Sequence, residues 1–175
     1  MRSSAPCLPK RWPNPIMNPL VESALAELEQ ADARLRRTFE KTPDDRLLWS
    51  PGGTARTAIS LVAHCAYSLG FIAELFHGKP YPAPTTEQAD AEHLARENAF
   101  TTRAEALALW DAKLAEHRQA LTSLTEEQIA STVVLPFNLG QAPLSMILNV
   151  GSRHTHDHMA QLDYLQTTWG DRSWN

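Results

Sequence analysis

Between Thr57 and His77 the chain is apolar nearly all round: Ile59, Leu61, Val62, Cys65, Leu69, Ile72 and Phe76 fall on more than one face of a helix drawn through them. Such a helix has little surface to leave in water, so it is expected to be the most buried element of the protein. The rest of the 175 residues is long enough to enclose it within one sizeable core.

The neighbours that would enclose it are legible as amphipathic helices. Asn18 is a natural N-cap and Pro19 suits the first helical position, where its missing N–H would have had no partner. Leu20, Ala24, Leu28, Ala31, Leu35 and Phe39 then recur at steps of three or four, with Glu22, Glu29, Arg36 and Arg37 elsewhere, and this first long helix ends near Thr42-Pro43. Trp49-Ser50-Pro51-Gly52-Gly53 cannot continue a helix and leads to Thr54 or Thr57 as the cap of the apolar helix, which His77-Gly78-Lys79-Pro80 stops. Thr85-Thr86-Glu87-Gln88 has the spacing of a capping box and starts a short helix to about Glu97. Thr102 to Glu105 repeats the signature and opens a third long helix striped by Leu107, Trp110, Leu114, Leu121 and Leu124. Residues 131–143 read as an extended or hairpin-like crossover, and Pro143 fits the first turn of a fourth long helix ending near Trp169-Gly170. The expected fold is an all-α four-helix bundle with two connections long enough to cross it. One domain is expected over residues 18–170, with a disordered or extended tail over 1–17 and a short C-terminal tail over 171–175. Met17 reads either as the natural start or as the end of that loose tail.

Sixteen basic against twenty acidic side chains give a net charge of -4, and Lys and Arg form only scattered pairs. A surface without a basic stripe makes nucleic acid an unexpected partner. The two cysteines, Cys7 and Cys65, sit in unlike contexts, which argues against a disulfide framework and for a reducing compartment, by default the cytoplasm. No run is read as approaching the roughly 18 apolar residues that span a bilayer, and no membrane association is expected. The partner expected instead is a small-molecule substrate.

The chemistry is concentrated in histidines. On the fourth long helix Leu144, Ile147, Gly151, His154, His158, Leu162 and Leu165 share one face, so two imidazoles at i and i+4 lie where leucines should be buried. His156 falls about 200° round from His154 and is a poor partner for the pair. His64 lies on the apolar second helix, between Leu61 and Ser68 on its own stripe. A lone core histidine is usually satisfied by one hydrogen bond. Three of them converging from two elements are harder to satisfy separately, and a facial set of three nitrogens is a metal site with a vacant position.

His117, close to the third helix's stripe, reads either as a fourth ligand or substrate contact or as a capped or half-exposed histidine. His77 and His93 read as solvated. Cys65 points about 100° away from His64 and reads as packing, with a thiolate ligand as the alternative. Trp49, Trp110, Trp169 and Trp174 read as packing or rim residues. There is no His-Glu-x-x-His, no G-x-S-x-G, no phosphate-binding glycine loop and no Glu-x-x-His pair of the di-iron kind, and no carboxylate can be assigned as a general base.

Taken together, His154-x-x-x-His158-x-x-Gln161, Trp49-Ser50-Pro51 and the run Ile59 to His64 resemble the DinB-like proteins over about residues 18–169. That superfamily of four-helix bundles also includes YfiT-like hydrolases and bacillithiol- and mycothiol-dependent S-transferases. The resemblance implies that His64, His154 and His158 bind a divalent metal, nickel or zinc, with water completing the shell. It also implies a crossover between the second and third long helices, and a homodimer. Gln161 matches a glutamine frequent in the family and is the candidate accessory residue, whereas Met159 and Ala160 depart from the common pattern just before it.

A metal on three neutral imidazoles keeps its charge and can lower the pKa of a bound water or thiol. The expectation is therefore a metal-dependent thiol transferase or hydrolase, possessing a low-molecular-weight thiol as co-substrate in the first case. The competing expectation is a non-catalytic metal-binding module of stress or damage response, against which the open fourth position counts mildly, since structural zinc is usually closed by four protein ligands.

Overall fold

A computed structural model describes residues 17–83 and 85–173 of the chain. The tail expected over 1–17, except Met17, lies outside the described residues, as do Cys7 and Trp174. Asp171 to Ser173 follow the last helix without regular structure.

Four long helices carry the fold: α1 (Pro19–Glu40), α2 (Ala58–Phe76), α4 (Arg103–Thr122) and α6 (Val150–Thr167). Between α2 and α4 lies the shorter α3 (Thr86–Glu97). Between α4 and α6 lie a single turn, α5 (Glu126–Ile129), and a two-stranded hairpin, β1 (Thr132–Val134) with β2 (Gln141–Pro143). The caps follow the chemistry of the sequence. Asn18 accepts from the Leu20 N–H, Thr57 rather than Thr54 caps α2 through the Ser60 N–H, and Thr102 with Glu105 closes a full capping box on α4.

Polar contacts between helices fix their directions. Glu29 pairs with Arg118 and Arg36 with Asp111, so α1 and α4 run antiparallel. Glu27 accepts from Asn149 and the Thr38 carbonyl from Gln166, so α1 and α6 run parallel. His64 faces His158 while Ser68 meets His154, so α2 runs against α6. It follows that α2 and α4 are parallel. Two parallel neighbours cannot be joined by a tight turn, and the connection over residues 77–102, with α3 inside it, carries the chain back along the bundle. This is the crossover expected between the second and third long helices.

The second helix is the core element: twelve of its residues are buried, and Ile59, Val62, Ala63, Cys65, Ala66 and Leu69 have no exposed surface. Contrary to the sequence reading, Ala58–Phe76 is long and apolar enough to cross a membrane by length and composition. Its packing against α4, α6 and α3 accounts for that composition without a bilayer, and Ser60, His64 and Ser68 on it find partners inside the protein.

Two further expectations are corrected. Leu20 is exposed and Val21 takes the buried place at the start of α1. The fourth long helix begins at Val150, not at Pro143: Pro143 pairs with Thr132 in the hairpin, and Leu144–Met146 form a 3₁₀ turn. A 3₁₀ turn also brings i and i+3 to one side, so Leu144 and Ile147 are both buried and mimic the helical stripe.

Candidate metal centre

The pattern on α6 delivers His154 and His158 to the side facing α2, and α2 delivers His64 between them. Ring centroids are 5.1 Å apart for His64 and His154, 4.5 Å for His64 and His158, and 4.4 Å for His154 and His158. One ligand nitrogen from each can be chosen so that all three lie within 4.8 Å of one another. His156 points away from them, toward Arg34, as its place on the helix requires.

Burial decides the protonation of the two rings on α6. Loss of solvent pulls the His154 pKa down to about 3, with the charges of His158 and His64 adding to the effect, and burial likewise lowers His158. Neutral imidazole is the form that ligates a metal.

The proton positions of His64 and His158 are fixed by partners outside the cluster. His64 Nδ1 lies 2.6 Å from Glu97 Oε1; a carboxylate only accepts, so Nδ1–H donates and Nε2 is left as the free ring nitrogen. His158 Nδ1–H donates to Gln161 Oε1 at 2.9 Å, freeing its Nε2 in the same way. Ser68 Oγ lies 3.0 Å from His154 Nε2. A carboxylate on the far nitrogen of a ligating histidine is the arrangement that orients the ring and strengthens it as a donor. These residues fit a divalent ion in donor type and proximity.

Glu97 has no counterpart in the sequence reading, which assigned no carboxylate to the site. It ends α3 and is fully buried, yet Arg56 Nε donates to its Oε2 at 2.7 Å and the Ser60 hydroxyl at 3.1 Å. Burial by itself would raise its pKa, but His64 and Arg56, which donate hydrogen bonds to it, and the nearby His93 outweigh that and hold it ionised, well below the usual carboxylate range. Arg56 is itself steadied by Asp90 at 2.7 Å.

His93, expected to be solvated, is 7% exposed. Its Nε2 meets the Tyr81 hydroxyl at 2.5 Å, and its Nδ1 lies 3.7 Å from Glu97 Oε1, too far for a hydrogen bond. The missed signal was Ala89, His93 and Glu97 at four-residue steps, a buried stripe on a helix otherwise polar. His77 is exposed as expected.

The remaining candidates stay outside the cluster. His117 is 1% exposed, neither half-exposed nor a fourth ligand, and its Nδ1–H donates to the Leu69 carbonyl at 2.9 Å. Burial pulls its pKa down to about 4. Cys65 is packed in the core, where burial and then the nearby Glu97 charge push the thiol up and keep it protonated. Trp110 is core, with its indole N–H on Asp32, and Trp49 meets Trp169 edge-on.

A cavity of about 730 Å³ has His64 and His154 in its wall, and a second of about 570 Å³ is bordered by Arg56, Asp157 and Gln161. The histidines thus sit between the core and space large enough for a small molecule.

No curated protein matches the chain. Among solved structures, YfiT from Bacillus subtilis, described as a probable metal-dependent hydrolase with an unusual four-helix bundle topology, aligns with a TM-score of 0.69 at 21% identity over 91% of this chain and 94% of that one. A mycothiol-dependent maleylpyruvate isomerase aligns with a TM-score of 0.67 at 20% identity over 81% of this chain, which spans 60% of the isomerase. At these identities the likeness is one of fold. Residues 27–162 match the sequence profile of the DinB superfamily, and the chain belongs to that superfamily.

Proposed function

We propose that the protein is a divalent-metal-dependent enzyme acting on a small molecule, with His64, His154 and His158 holding nickel or zinc and thiol transfer or hydrolysis as the reaction. The observation that carries this reading is the cluster of three imidazoles, backed by the ionised Glu97 and opening onto a cavity of about 730 Å³. The names of the two similar structures, one thiol-dependent and one a probable hydrolase, support the same pair of chemistries.

When bound, the ion would supply Lewis acidity and lower the pKa of a water or thiol nucleophile near neutral pH. The protein's own residues position and insulate. Glu97 orients His64 and Gln161 orients His158, each by fixing the ring proton on Nδ1. Arg56 and Ser60 occupy the other oxygen of Glu97, so that carboxylate is a positioning residue and a poor base. Phe71, Ile72 and Leu75 wall the cavity with apolar surface and keep water from crowding the reacting end of a substrate.

The test is metal analysis of the purified protein, followed by a panel of thiols with electrophiles and of amide and ester substrates, before and after chelation. Turnover lost on chelation and restored by the ion supports the enzyme. Stoichiometric metal with no turnover across the panel favours the alternative of a non-catalytic stress or damage-response module, and absence of bound metal ends the reading altogether.

A further inference from the structure

We propose that Tyr81 is the hydrogen-bond acceptor by which the cavity walled by His64 and His154 recognises its substrate, and that the substrate presents an O–H or N–H group to it. This deepens, and rests on, the reading of the preceding section that this cavity holds the substrate.

His93 is the side chain that calls for an explanation. Its ring is 7% exposed, and its Nδ1 has no hydrogen-bond partner among the described residues. A buried polar nitrogen left unmatched costs stability, and an apolar residue on the same stripe of α3, beside Ala89, would pack without that cost. What the imidazole adds is its other nitrogen, Nε2, which meets the Tyr81 hydroxyl at 2.5 Å. Tyr81 comes from the connection after α2, and its ring stands edge-on to Phe71 at 5.0 Å and to Phe137 of the hairpin tip at 5.1 Å. Two rings and one hydrogen bond therefore fix the place of its oxygen. Tyr81 and His93 both line the cavity of about 730 Å³, and the bond between them is only half-buried.

Glu97 sets the direction of that bond. Its Oε1 lies 3.7 Å from His93 Nδ1, too far to accept a hydrogen bond but close enough to disfavour a lone pair facing it. The ring proton belongs on Nδ1, so Nε2 accepts and the Tyr81 O–H donates to it. Burial, and then the nearby Glu92 charge, push the Tyr81 pKa up, so the phenol keeps the proton it donates. With that proton turned to His93, the oxygen has only lone pairs left to offer. An O–H or N–H on a ligand completes its hydrogen bonding, whereas an ether or carbonyl oxygen meets it lone pair to lone pair. The selection is one of hydrogen-bonding sense and not of charge, so a divalent ion on His64 and His154 in the same wall is compatible with it.

Two probes built on one frame test this: naphthylmethanol, which can donate, and its methyl ether, which can only accept. Both are titrated by fluorescence into the full-length, as-purified protein, with metal content and melting temperature measured on the same sample. The alcohol is expected to bind about five- to tenfold more tightly than the ether, the worth of one hydrogen bond. Tyr81→Phe keeps the ring and removes the acceptor, and is expected to weaken the alcohol by about the same factor and the ether by less than about twofold, at unchanged metal content. The metal is common to both proteins, so the change between them reports the hydroxyl. His93→Leu releases the Tyr81 proton, and the ether is expected to gain on the alcohol until the two lie within about threefold. A merely structural His93 would weaken both probes alike.

Equal or tighter binding of the ether to the unaltered protein overturns the proposal, as does an equal loss of both probes in Tyr81→Phe. Failure of both probes on protein that carries its metal also overturns it, and leaves the metal centre standing. The expected pattern on protein that never binds metal supports the role of Tyr81 while the metal reading fails.

Discussion

Ser68 and Leu69 are adjacent on α2, and each meets a histidine whose pKa is pulled down by desolvation: Ser68 meets the half-buried His154, and the Leu69 carbonyl meets the buried His117. The two rings end in opposite situations. His117 donates one hydrogen bond to a backbone carbonyl and is otherwise surrounded by packing, with Phe76 at 5.2 Å and Gly151 of α6 against its edge. His154 shares its surroundings with two other imidazoles, an outer carboxylate and a cavity wall. Burying a histidine is therefore not what marks a site. What marks it is several neutral nitrogens held close together, oriented from behind, and open in front.

The comparison is broken most sharply by removing rings. His64→Ala, His154→Ala and His158→Ala are each expected to abolish stoichiometric metal, read by elemental analysis after dialysis, while His156→Ala and His117→Gln keep it. Retention of metal in all three cluster variants would sink the site. Glu97→Gln keeps shape but removes the charge behind His64, and a loss of about 10- to 100-fold in metal affinity is expected, with the ligands themselves intact.

On the packing side, Gly151→Ala should destabilise the fold and leave metal stoichiometry unchanged. A Cβ there would stand 2.7 Å from Leu69 Cδ2 and 3.1 Å from the His117 ring. Overpacking of this kind costs about 1–3 kcal/mol, measurable by urea denaturation. If Gly151→Ala is neutral, the contact between α6 and His117 is looser than described.

Acid should distinguish the two histidines more finely. Folded His117 titrates at about 4 and folded His154 at about 3, against an unfolded value of about 6.5. As pH falls, the unfolded chain takes up protons before the folded one does. The stability these rings contribute is therefore complete above about pH 6.5 and is lost as pH falls toward the folded values. For His117, almost wholly buried, the loss by pH 4 is up to about 3 kcal/mol. Glu97, whose folded pKa is depressed, adds a loss of the same sign starting below about pH 4.5. Added metal should steepen the decline through His154 and leave the His117 part alone, so a melting curve taken across pH 7 to 4 with His154→Ala isolates the latter. Metal occupancy itself should fall below about pH 6, as protons compete for the imidazoles.

The smallest expected effect is that of chelation on secondary structure. Helical content should survive it, because α1, α2, α4 and α6 bury a continuous apolar core without help from the cluster; the melting temperature should drop only by the binding contribution that mass action supplies. Circular dichroism with and without chelator checks this, and unfolding at room temperature would make the centre structural.

Much of this was readable from residue order. Helix caps are local chemistry, so Asn18, Thr57, Thr85 and Thr102 announced their helices, and the spacing of His154 and His158 placed both rings on one face. The apolar run of α2 announced its burial. The start of α6 misled because a 3₁₀ turn and an α-helix share the i, i+3 repeat, so Leu144 and Ile147 looked like one more turn of helix.

What the sequence determined by itself is thus the set of elements and the faces they bury, since both depend on neighbours within about a turn. Only the tertiary structure decided what stands behind and in front of the histidines. Glu97 and His93 lie on a helix that reads as polar surface until the crossover lays it over α2, and Phe137 and Leu139 belong to a hairpin tip that meets the cavity only in the folded chain. Those placements depend on how a long connection runs between parallel helices, and no local periodicity records that path.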